Sequence, residues 1–383
     1  MIMISIPLQT GDLVLIAFLI AVLLIATWFL AWFAGAYAVR KAIRRPHLTR
    51  SPHNPIVAPI AGYPWQSEAV FNPAAVLGED GRVHLFYRAV GGDGVSRIGH
   101  ASSADGQHFD ERSPYPVFML QEGYEEQGMR TGRPAYYKER YPVVSASGGG
   151  WGGSEDPRAV SLEGKIVLTF SAFQGWDSLR MMMTSLRGGD LARRAWRWET
   201  PAFLSPQGQV HKNWVLFPEK IAGKYAVIHS ITPRIQICYV DALDASHEGL
   251  GIESVHQQSS GADHPWAERI RGAGAPPLKT PYGWLLFYHA LQRGEPDRYK
   301  LGVMLLDLDH PERVLYRSSY PVLEPETFYE NDGKPGVVYV CGTVVKDGTL
   351  YVYYGGGDKT VNLATAPLAT FLRELIRPDH AVL

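Results

Sequence analysis

The sequence predicts an all-β fold, a five-bladed β-propeller preceded by one N-terminal transmembrane helix. Three observations carry this prediction. The 383 residues include 39 Gly and 27 Pro, and 11% are aromatic, a composition typical of short strands joined by many turns. A hairpin pattern recurs five times along the chain, and one long uncharged segment lies near the N-terminus. A single propeller can fill this length because all-β domains often exceed the usual domain size.

The N-terminal segment over residues 13–39 contains no charged side chain and is dominated by aliphatic and aromatic residues. Such a segment is long enough to cross a hydrocarbon core of about 30 Å. Asp12 precedes it, and a cluster of basic residues follows it: Arg40, Lys41, Arg44, Arg45 and Arg50. A cleavable signal peptide has the opposite order of charge, so we expect a retained single-pass anchor in a lipid bilayer, with the rest of the chain in the cytoplasm.

These features predict four parts of the chain. They are an N-terminal tail over 1–12, the membrane helix over 13–39, a basic linker over 40–54 and the propeller over 55–383. The formal net charge is −1, which gives no global positive field to attract nucleic acid. Cys238 and Cys341 are too few for a disulfide framework or a cysteine-based metal site.

The five repeats each contain a turn glycine followed by a mostly apolar strand. The turn glycines are Gly81, Gly164, Gly223, Gly283 and Gly348. A short run before each glycine can pair with that strand as a hairpin, and a third run follows. The spacing leaves room for four strands per repeat, which is one propeller blade. A double-sheet sandwich is the structural alternative, although it does not naturally produce five equivalent hairpins.

Polar residues at equivalent positions of these hairpins are expected to meet at the central axis, although they lie far apart in sequence. They are Asn72, Arg88, Asp156, Glu219, His229, His289 and Asp358. The chain has no phosphate-binding loop, dinucleotide fingerprint or His-Glu-x-x-His motif, so we expect no organic cofactor and no metal.

Four motifs, in this order, resemble those of glycoside hydrolase family 130. They are Glu155-Asp-Pro-Arg158, His211-Lys-Asn-Trp-Val-Leu-Phe-Pro-Glu-Lys220, Pro277-Leu-Lys-Thr-Pro-Tyr-Gly-Trp-Leu-Leu-Phe-Tyr-His289 and Tyr353-Tyr-Gly-Gly-Gly-Asp358. The resemblance extends from about Pro55 to Pro367. It implies a five-bladed propeller that acts on β-mannosides, mostly by phosphorolysis, with a smaller set of hydrolases.

The resemblance also implies residue roles. Asp156 matches the family's general acid, which protonates the glycosidic oxygen through a hydroxyl of the mannosyl residue while inorganic phosphate, the co-substrate, attacks the anomeric carbon. A phosphorylase holds its anionic nucleophile with cations and hydrogen-bond donors, and the candidates are Lys212, His229 and, more weakly, Arg234. Family phosphorylases often have His followed by Arg at the end of this strand, whereas this chain has His229-Ser230.

The expected mannosyl site combines hydroxyl donors and acceptors with aromatic faces. Its residues are Asn72, Arg88, Tyr288, His289 and Asp358, and Trp151 or Trp214 could supply stacking.

Other readings of the same residues stay open. A hydrolase needs a second carboxylate about 6.5–9.5 Å from the acid, for which Glu219 or Glu268 are the candidates. A propeller that binds sugar without catalysis is a third alternative, which the presence of Asp156 disfavours. Asp156 could also form a local turn ion pair with Arg158, Lys212 could be an ordinary solvated lysine, and His229 could be a core histidine.

Overall fold

The structure, a computed structural model, describes residues 19–32, 45–120, 150, 152–173, 179–206, 209–243, 252, 265–295, 297–378 and 382. Its compact unit, Pro46–Leu383, is all-β apart from short helices. Within this unit the strands form five successive antiparallel groups, which we call blades 1 to 5.

The blades follow chain order, except that the first strand of the chain belongs to the last blade. Blade 1 contains β2 (Ala69–Leu77), β3 (Val83–Val90), β4 (Val95–Ser103) and β5 (Glu111–Arg112). Blade 2 contains β6 (Gly152–Leu162), β7 (Lys165–Phe173), β8 (Leu179–Arg187) and β9 (Ala202–Phe203). Blade 3 contains β10 (Val215–Leu216), β11 (Tyr225–Ser230) and β12 (Gln236–Val240). Blade 4 contains β13 (Arg269–Ala273), β14 (Leu278–Thr280), β15 (Gly283–Leu291), β16 (Tyr299–Leu306) and β17 (Val314–Arg317). Blade 5 contains β18 (Val338–Lys346), β19 (Thr349–Gly356), β20 (Thr360–Pro367) and β1 (Thr49–Arg50).

The turn glycines set the first hairpin of every blade. All five have positive φ: 73° at Gly81, 75° at Gly164, 81° at Gly223, 145° at Gly283 and 73° at Gly348. Glycine adopts this conformation without the steric cost that a Cβ atom adds. Each lies at the turn that leads into the central strand of its blade, and this strand pairs antiparallel with the strands on both sides.

Each central strand is buried on both faces because it contributes to two cores. In β15, Leu286 and Tyr288 pack in the core shared with blade 3, while Leu285 and Phe287 pack in the core shared with blade 5. Equivalent cores lie between blades 1 and 2, between blades 2 and 3, and between blades 5 and 1. Five interfaces thus join five blades in a closed ring, the arrangement of a β-propeller.

Strand β1 closes this ring at its edge. It precedes blade 1 in the chain but pairs with β20 of blade 5, with Thr49 opposite Thr365 and Arg50 opposite Ala364. The sequence placed these residues in a basic linker. In the structure, they belong to the compact unit.

Blades 1 and 2 are also joined directly, through a short parallel pairing of Ser96 in β4 with Gly153 in β6. Gly153 has a φ of 103°, and a Cβ atom there would overlap the carbonyl oxygen of Ser96. Only glycine permits this approach. The pairing fixes the beginning of β6, three residues before Asp156.

In the described part of the compact unit, two short helices lie outside the blades. Helix α1 (Gly188–Ala192) follows β8, and helix α2 (Leu368–Leu375) follows β20. Helix α2 packs Phe371, Leu372 and Leu375 into the core between blades 4 and 5. Among the residues described, 3-10 turns occupy Pro64–Gln66, Pro265–Ala267 and Phe328–Glu330.

The predicted transmembrane helix over residues 13–39 was wrong. Among the described residues, none of the helices has the length and apolar character needed to cross a membrane. Within the predicted segment, residues 19–32 are described and are helical. The rest of the predicted segment lies outside the described residues. The predictions of a single-pass membrane location, of a bilayer as partner and of a propeller on its cytoplasmic side depended on this helix and have no support without it.

Candidate active site

Bulges in the first strands of blades 1 and 2 turn two polar side chains toward the ring axis. The register of β2 shifts between Phe71 and Ala74, and that of β6 shifts between Glu155 and Arg158. Asn72 and Asp156 occupy these bulges with φ of 49° and 46°. Asn and Asp are the L-residues that best tolerate this left-handed region, and a bulge re-aims a side chain out of the pleat.

The other three blades have an irregularity at the same place. Asn213, two residues before β10, has a φ of 62°, and the registers of β13 and β18 shift between Ile270 and Gly272 and around Cys341. Residues from separate blades therefore converge on the axis. A Cβ atom at Gly272 would lie 2.6 Å from Nδ2 of Asn213, which shows how closely these bulges approach one another.

Asp156 is the centre of this group. Asn72 Nδ2 donates a hydrogen bond of 2.8 Å to Oδ1 of Asp156, and Arg88 Nη1 lies 3.3 Å from the same oxygen. Burial alone would raise the pKa of the Asp156 carboxyl. The charges of Arg88, Lys212 and Arg158 and the hydrogen bond from Asn72 outweigh burial and hold this pKa below its ordinary value.

Arg88 and Glu155 form a buried ion pair beside Asp156. Arg88 Nη2 donates to Oε1 of Glu155 at 2.8 Å, and its Nε donates to Ser96 Oγ at 3.0 Å. The second oxygen of Glu155, Oε2, lies 4.0 Å from Nζ of Lys212. Glu155 thus connects two cations and fixes their positions on the two sides of its carboxylate.

Positive charge accumulates next to Asp156. Burial lowers the pKa of Lys212, Glu155 and Asp156 oppose that effect, and Arg88 and Arg271 add to it. Arg271 lies close by, since its carbonyl accepts a hydrogen bond of 3.0 Å from Nδ2 of Asn213, the residue after Lys212. The Arg271 guanidinium and the Lys334 ammonium lie 5.8 Å and 5.2 Å from the centre of the Tyr299 ring. This part of the site is suited to an anionic ligand.

His289 offers a hydrogen-bond donor to the same region. The Val340 N–H donates to His289 Nε2 at 2.8 Å, so the proton of the neutral ring is on Nδ1. Burial, and then the charge of Arg158, lower the pKa of His289 to about 3, which keeps the ring neutral. His289 is fully buried, and its Nδ1 has no hydrogen-bond partner among the described residues.

Asp358 supplies a second carboxyl, in the turn between β19 and β20. It has a φ of 51°, and its Oδ2 lies 3.8 Å from Nζ of Lys334. Burial raises the pKa of Asp358, Lys334 and Arg88 oppose that rise, and the charge of Asp156 adds to it. The pKa values of Asp156 and Asp358 are therefore shifted in opposite directions from their ordinary values. In the part of the chain that is described, no group of three or more His, Cys, Asp or Glu side chains could hold a metal ion.

A sequence profile described as beta-1,4-mannooligosaccharide phosphorylase, that of glycoside hydrolase family 130, matches residues 39–375. This chain belongs to glycoside hydrolase family 130. The resemblance predicted from the four motifs is confirmed.

Relatives of this family 130 chain include two proteins of Thermoanaerobacter sp. (strain X514). The 1,2-beta-oligomannan phosphorylase is 33% identical over 327 residues, which cover 83% of this chain and 96% of the relative. The beta-1,2-mannobiose phosphorylase is 34% identical over 331 residues, with the same coverage of 83% and 96%. The solved beta-1,2-mannobiose phosphorylase of Listeria innocua has the same fold, with a TM-score of 0.64 at 22% identity over 86% of this chain and 99% of that chain.

The structure brings several of the predicted residues of this family 130 chain together. Asp156 contacts Asn72 and Arg88 directly, and the charges of Lys212 and Asp358 act on the same cluster. The charges of Asp156 and Arg158 also act on His289. The alternative of a local side-chain ion pair between Asp156 and Arg158 is not what the structure shows, because Arg158 donates to the main-chain oxygen of Asp156.

Other predicted residues lie in different surroundings. Tyr288 stacks on Trp266 in the core between blades 3 and 4, with ring centres 6.0 Å apart. His229 is half-buried against Trp214, whose own ring is buried in the core between blades 2 and 3 and so cannot stack on a sugar. Arg234 is exposed. Trp151 lies outside the described residues.

The two candidate bases of a hydrolase are each paired with a surface cation. Glu219 is exposed and bonds to Lys279. Glu268 accepts a hydrogen bond of 2.8 Å from Nε of Arg293, which lowers its pKa. Neither of these described contacts includes Asp156.

Sequence reasoning missed several residues of the site. Arg271 on β13, Tyr339 on β18 and Lys334 in the segment before β18 have no local motif of their own. Asn213 lies inside one of the four family motifs. The available signal was an Asn close to the first strand of blade 3, near the place where blades 1 and 2 have Asn72 and Asp156.

Gly355 leaves the space that Asn72 needs. A Cβ atom at Gly355 would overlap Oδ1 of Asn72 and lie 2.8 Å from its main-chain nitrogen. We expect Gly355→Ala to displace Asn72 from Asp156 and to lower kcat at least about tenfold, because small misplacements of catalytic groups are costly. Gly62→Ala is the control, since a Cβ atom there meets nothing within 4 Å. Steady-state assays of both variants test this, and equal activities would contradict the positioning of Asn72 by Gly355.

Proposed function

We propose that this family 130 chain is an inverting β-mannoside phosphorylase, with Asp156 as its general acid. The observation that carries the proposal is the cationic group beside Asp156. In this group, Lys212 lies 4.0 Å from Glu155, and Arg271 adds positive charge near both Lys212 and the donor His289. An incoming phosphate needs charge-assisted donors of this kind, whereas a water molecule needs a base.

In the proposed reaction a phosphate oxygen forms a bond to C1 of the terminal mannosyl residue, from the face opposite the leaving sugar. The bond between C1 and the glycosidic oxygen breaks, and that oxygen takes up a proton that originates from Asp156. The products are α-mannose 1-phosphate and a mannoside shortened by one residue. No base is required, because phosphate arrives as an anion.

The proton on Asp156 depends on the occupancy of the site. In the free protein the surrounding cations favour the carboxylate form. Phosphate bound near Lys212 and Arg271 offsets part of their charge, and this raises the pKa of Asp156 toward its ordinary value. Binding of the nucleophile thus favours the protonated form that the acid step requires.

The relatives suggest the linkage. Two of them are named for 1,2-beta-oligomannan and beta-1,2-mannobiose, and each is covered over 96% of its length. We therefore expect β-1,2-linked mannosides to be better substrates than β-1,4-linked ones.

Hydrolysis is the second candidate, and one observation favours it. Ser230 stands where family phosphorylases often have Arg, and its hydroxyl donates to the Thr232 carbonyl at 2.9 Å within its own turn. One phosphate ligand of the family pattern is thereby missing. The contacts of the two candidate bases argue against hydrolysis. Glu219 is paired with Lys279, and Glu268 is paired with Arg293.

Product analysis with and without inorganic phosphate separates these functions. The purified chain is incubated with β-1,2-mannobiose, and sugar products are resolved by anion-exchange chromatography. We expect mannose 1-phosphate to form only when phosphate is present. Free mannose at equal rates in both samples would support hydrolysis instead, and binding without any turnover would support a sugar-binding protein.

Lys212 is expected to serve the phosphate. Because a hydrogen bond to a charged group contributes about 1.5–3 kcal/mol, Lys212→Met should raise the KM for phosphate roughly tenfold or more. The KM for β-1,2-mannobiose should change less. Lys224→Met is the matched control, since Lys224 is exposed and pairs with Asp241 at 3.4 Å. Initial rates over a matrix of both substrates test this, and an unchanged phosphate KM would exclude Lys212 as a phosphate ligand.

A further inference from the structure

Arg158 connects three blades at the axis. It lies on β6, two residues after Asp156, and is 1% exposed. Its Nη1 donates to the main-chain oxygen of Asp156 at 2.7 Å, its Nη2 to Oδ1 of Asn213 at 2.9 Å, and its Nε to the carbonyl of Gly274 at 3.0 Å. These acceptors belong to blades 2, 3 and 4.

The three acceptors are all neutral oxygens. The planar guanidinium of Arg158 is thus held by three hydrogen bonds in fixed directions. Because none of the three acceptors is a carboxylate, its charge remains available to act on Asp156. The peptide oxygen that it binds belongs to a residue with a φ of 46°, a conformation that persists only where surrounding contacts fix it. Arg158 supplies such a contact at the main chain of Asp156, while Asn72 holds its side chain.

Asn213 extends this connection to the cationic part of the site. Its Oδ1 also accepts a hydrogen bond of 2.7 Å from the Tyr339 hydroxyl, and its Nδ2 donates to the Arg271 carbonyl at 3.0 Å. The Tyr339 ring stacks on His289 with centres 4.0 Å apart and planes 9° apart. A continuous set of contacts therefore runs from the main chain of Asp156 to Arg271 and His289.

We propose that Arg158 is a positioning residue that holds Asp156 and, through Asn213 and Tyr339, sets the distance between the acid and the anion-binding side chains. This inference rests on the proposed function and deepens it. In-line displacement requires the acid and the nucleophile on opposite faces of one sugar. A wrong distance between Asp156 and the anion-binding side chains therefore lowers the rate even when both substrates bind.

The test uses Arg158→Lys and Tyr339→Phe, singly and together. Lysine keeps the charge but cannot reach three acceptors in the directions of a guanidinium. We expect Arg158→Lys to lower kcat about 100-fold with less than about a threefold change in the KM for β-1,2-mannobiose, the loss typical of a small misplacement. Tyr339→Phe keeps the ring against His289 and removes only the hydroxyl. It should raise the KM for phosphate severalfold.

The double variant measures coupling. If the residues act through one network, its loss in kcat/KM is smaller than the product of the two single losses. Independent effects, or a wild-type kcat in Arg158→Lys, would overturn the proposal. Arg180→Lys is the matched control, because Arg180 is also buried but its Nε and Nη2 both donate to the single carbonyl of Ser205. We expect wild-type kinetics from it.

A crystal structure of Arg158→Lys keeps the inference testable without any assay. We expect the Asp156 peptide to rotate and its bond to Asn72 to lengthen, and an unchanged Asp156 would contradict the role of Arg158. If the wild type releases mannose without phosphate, the proposed phosphorolysis fails, while the effect of Arg158→Lys on the hydrolytic kcat still tests the positioning. If Arg158→Lys does not fold, Tyr339→Phe, which removes one hydroxyl, carries the test through its effect on the KM for phosphate or, in a hydrolase, on kcat.

Discussion

Asp156→Asn is expected to lower kcat by about 10³-fold or more while sugar binding is retained. The amide has the size of the carboxyl and can still accept the hydrogen bond from Asn72, but its N–H groups are too weakly acidic to transfer a proton to the leaving oxygen. Positioned proton transfer contributes typically about 10²–10⁴-fold to rate. Steady-state phosphorolysis gives kcat, and calorimetric titration with β-1,2-mannobiose gives the affinity.

Asp347→Asn is a matched control for this substitution. Asp347 also has a left-handed backbone, with a φ of 49°, but its side chain is 89% exposed in a hairpin turn of blade 5. It should behave like the wild type.

Asp358→Asn tests whether the acid is correctly assigned. The pKa of Asp358 is raised in the free protein and that of Asp156 is lowered, so of the two carboxyls Asp358 is the one that takes up a proton more readily. We expect its loss to raise the KM for the mannoside more than it lowers kcat. The reverse pattern, with Asp156→Asn active and Asp358→Asn inactive, would transfer the role of acid to Asp358.

The sequence was informative where structure depends on neighbouring residues. The turn glycines and the strands that follow them are local, and so the hairpins could be predicted from short windows. Asn72 and Asp156 could be placed at the axis because equivalent positions of repeated hairpins converge. Arg271 and Tyr339 could not be found, because their roles arise from contacts with Asn213 and His289 across blades.

A second limit on the prediction from sequence was the direction in which the side chains of a strand point. Tyr288 and His289 are adjacent in β15, and their side chains point to opposite faces. In a strand with one solvent face, the apolar pattern would tell which side chain faces the site. In β15 both faces are buried, so no alternation separates the two, and Tyr288 was predicted for the site although it lies in the core between blades 3 and 4.

Arg50 was interpreted from sequence as part of a positive cluster after a membrane segment, but the structure gives it another role. On β1, its Nε donates to Oε1 of Glu330 at 2.8 Å, and its Nη2 lies 3.1 Å from Oε2. Glu330 is fully buried and also accepts bonds from Tyr354 Oη and from the main-chain nitrogens of Glu326 and Thr327. The pair fastens β1, the strand that closes the ring, to the turn after blade 4.

Arg50→Ala should therefore destabilise the propeller by about 3 kcal/mol, since removing one partner of a buried pair leaves an uncompensated charge. Urea denaturation followed by tryptophan fluorescence measures the free energy of unfolding. Lys165→Ala removes a partner of the surface pair Lys165–Glu199, at 2.7 Å, and should cost about 0–1 kcal/mol. Equal losses from the two variants would show that the Arg50–Glu330 pair does not hold the ring closed.

The pH dependence of this stability has a definite sign. Burial alone would raise the pKa of Glu330, but the bonds from Arg50 and from two main-chain N–H groups lower it below its unfolded value. A carboxyl of this kind stabilises the fold above its unfolded pKa, and its contribution is lost as the pH falls through the lower, folded pKa. In Arg50→Ala the main cation is gone and burial acts with less opposition, so the folded pKa of Glu330 rises. The difference in stability between wild type and Arg50→Ala should therefore be largest at neutral pH and shrink in acid, where Glu330 becomes neutral in both proteins.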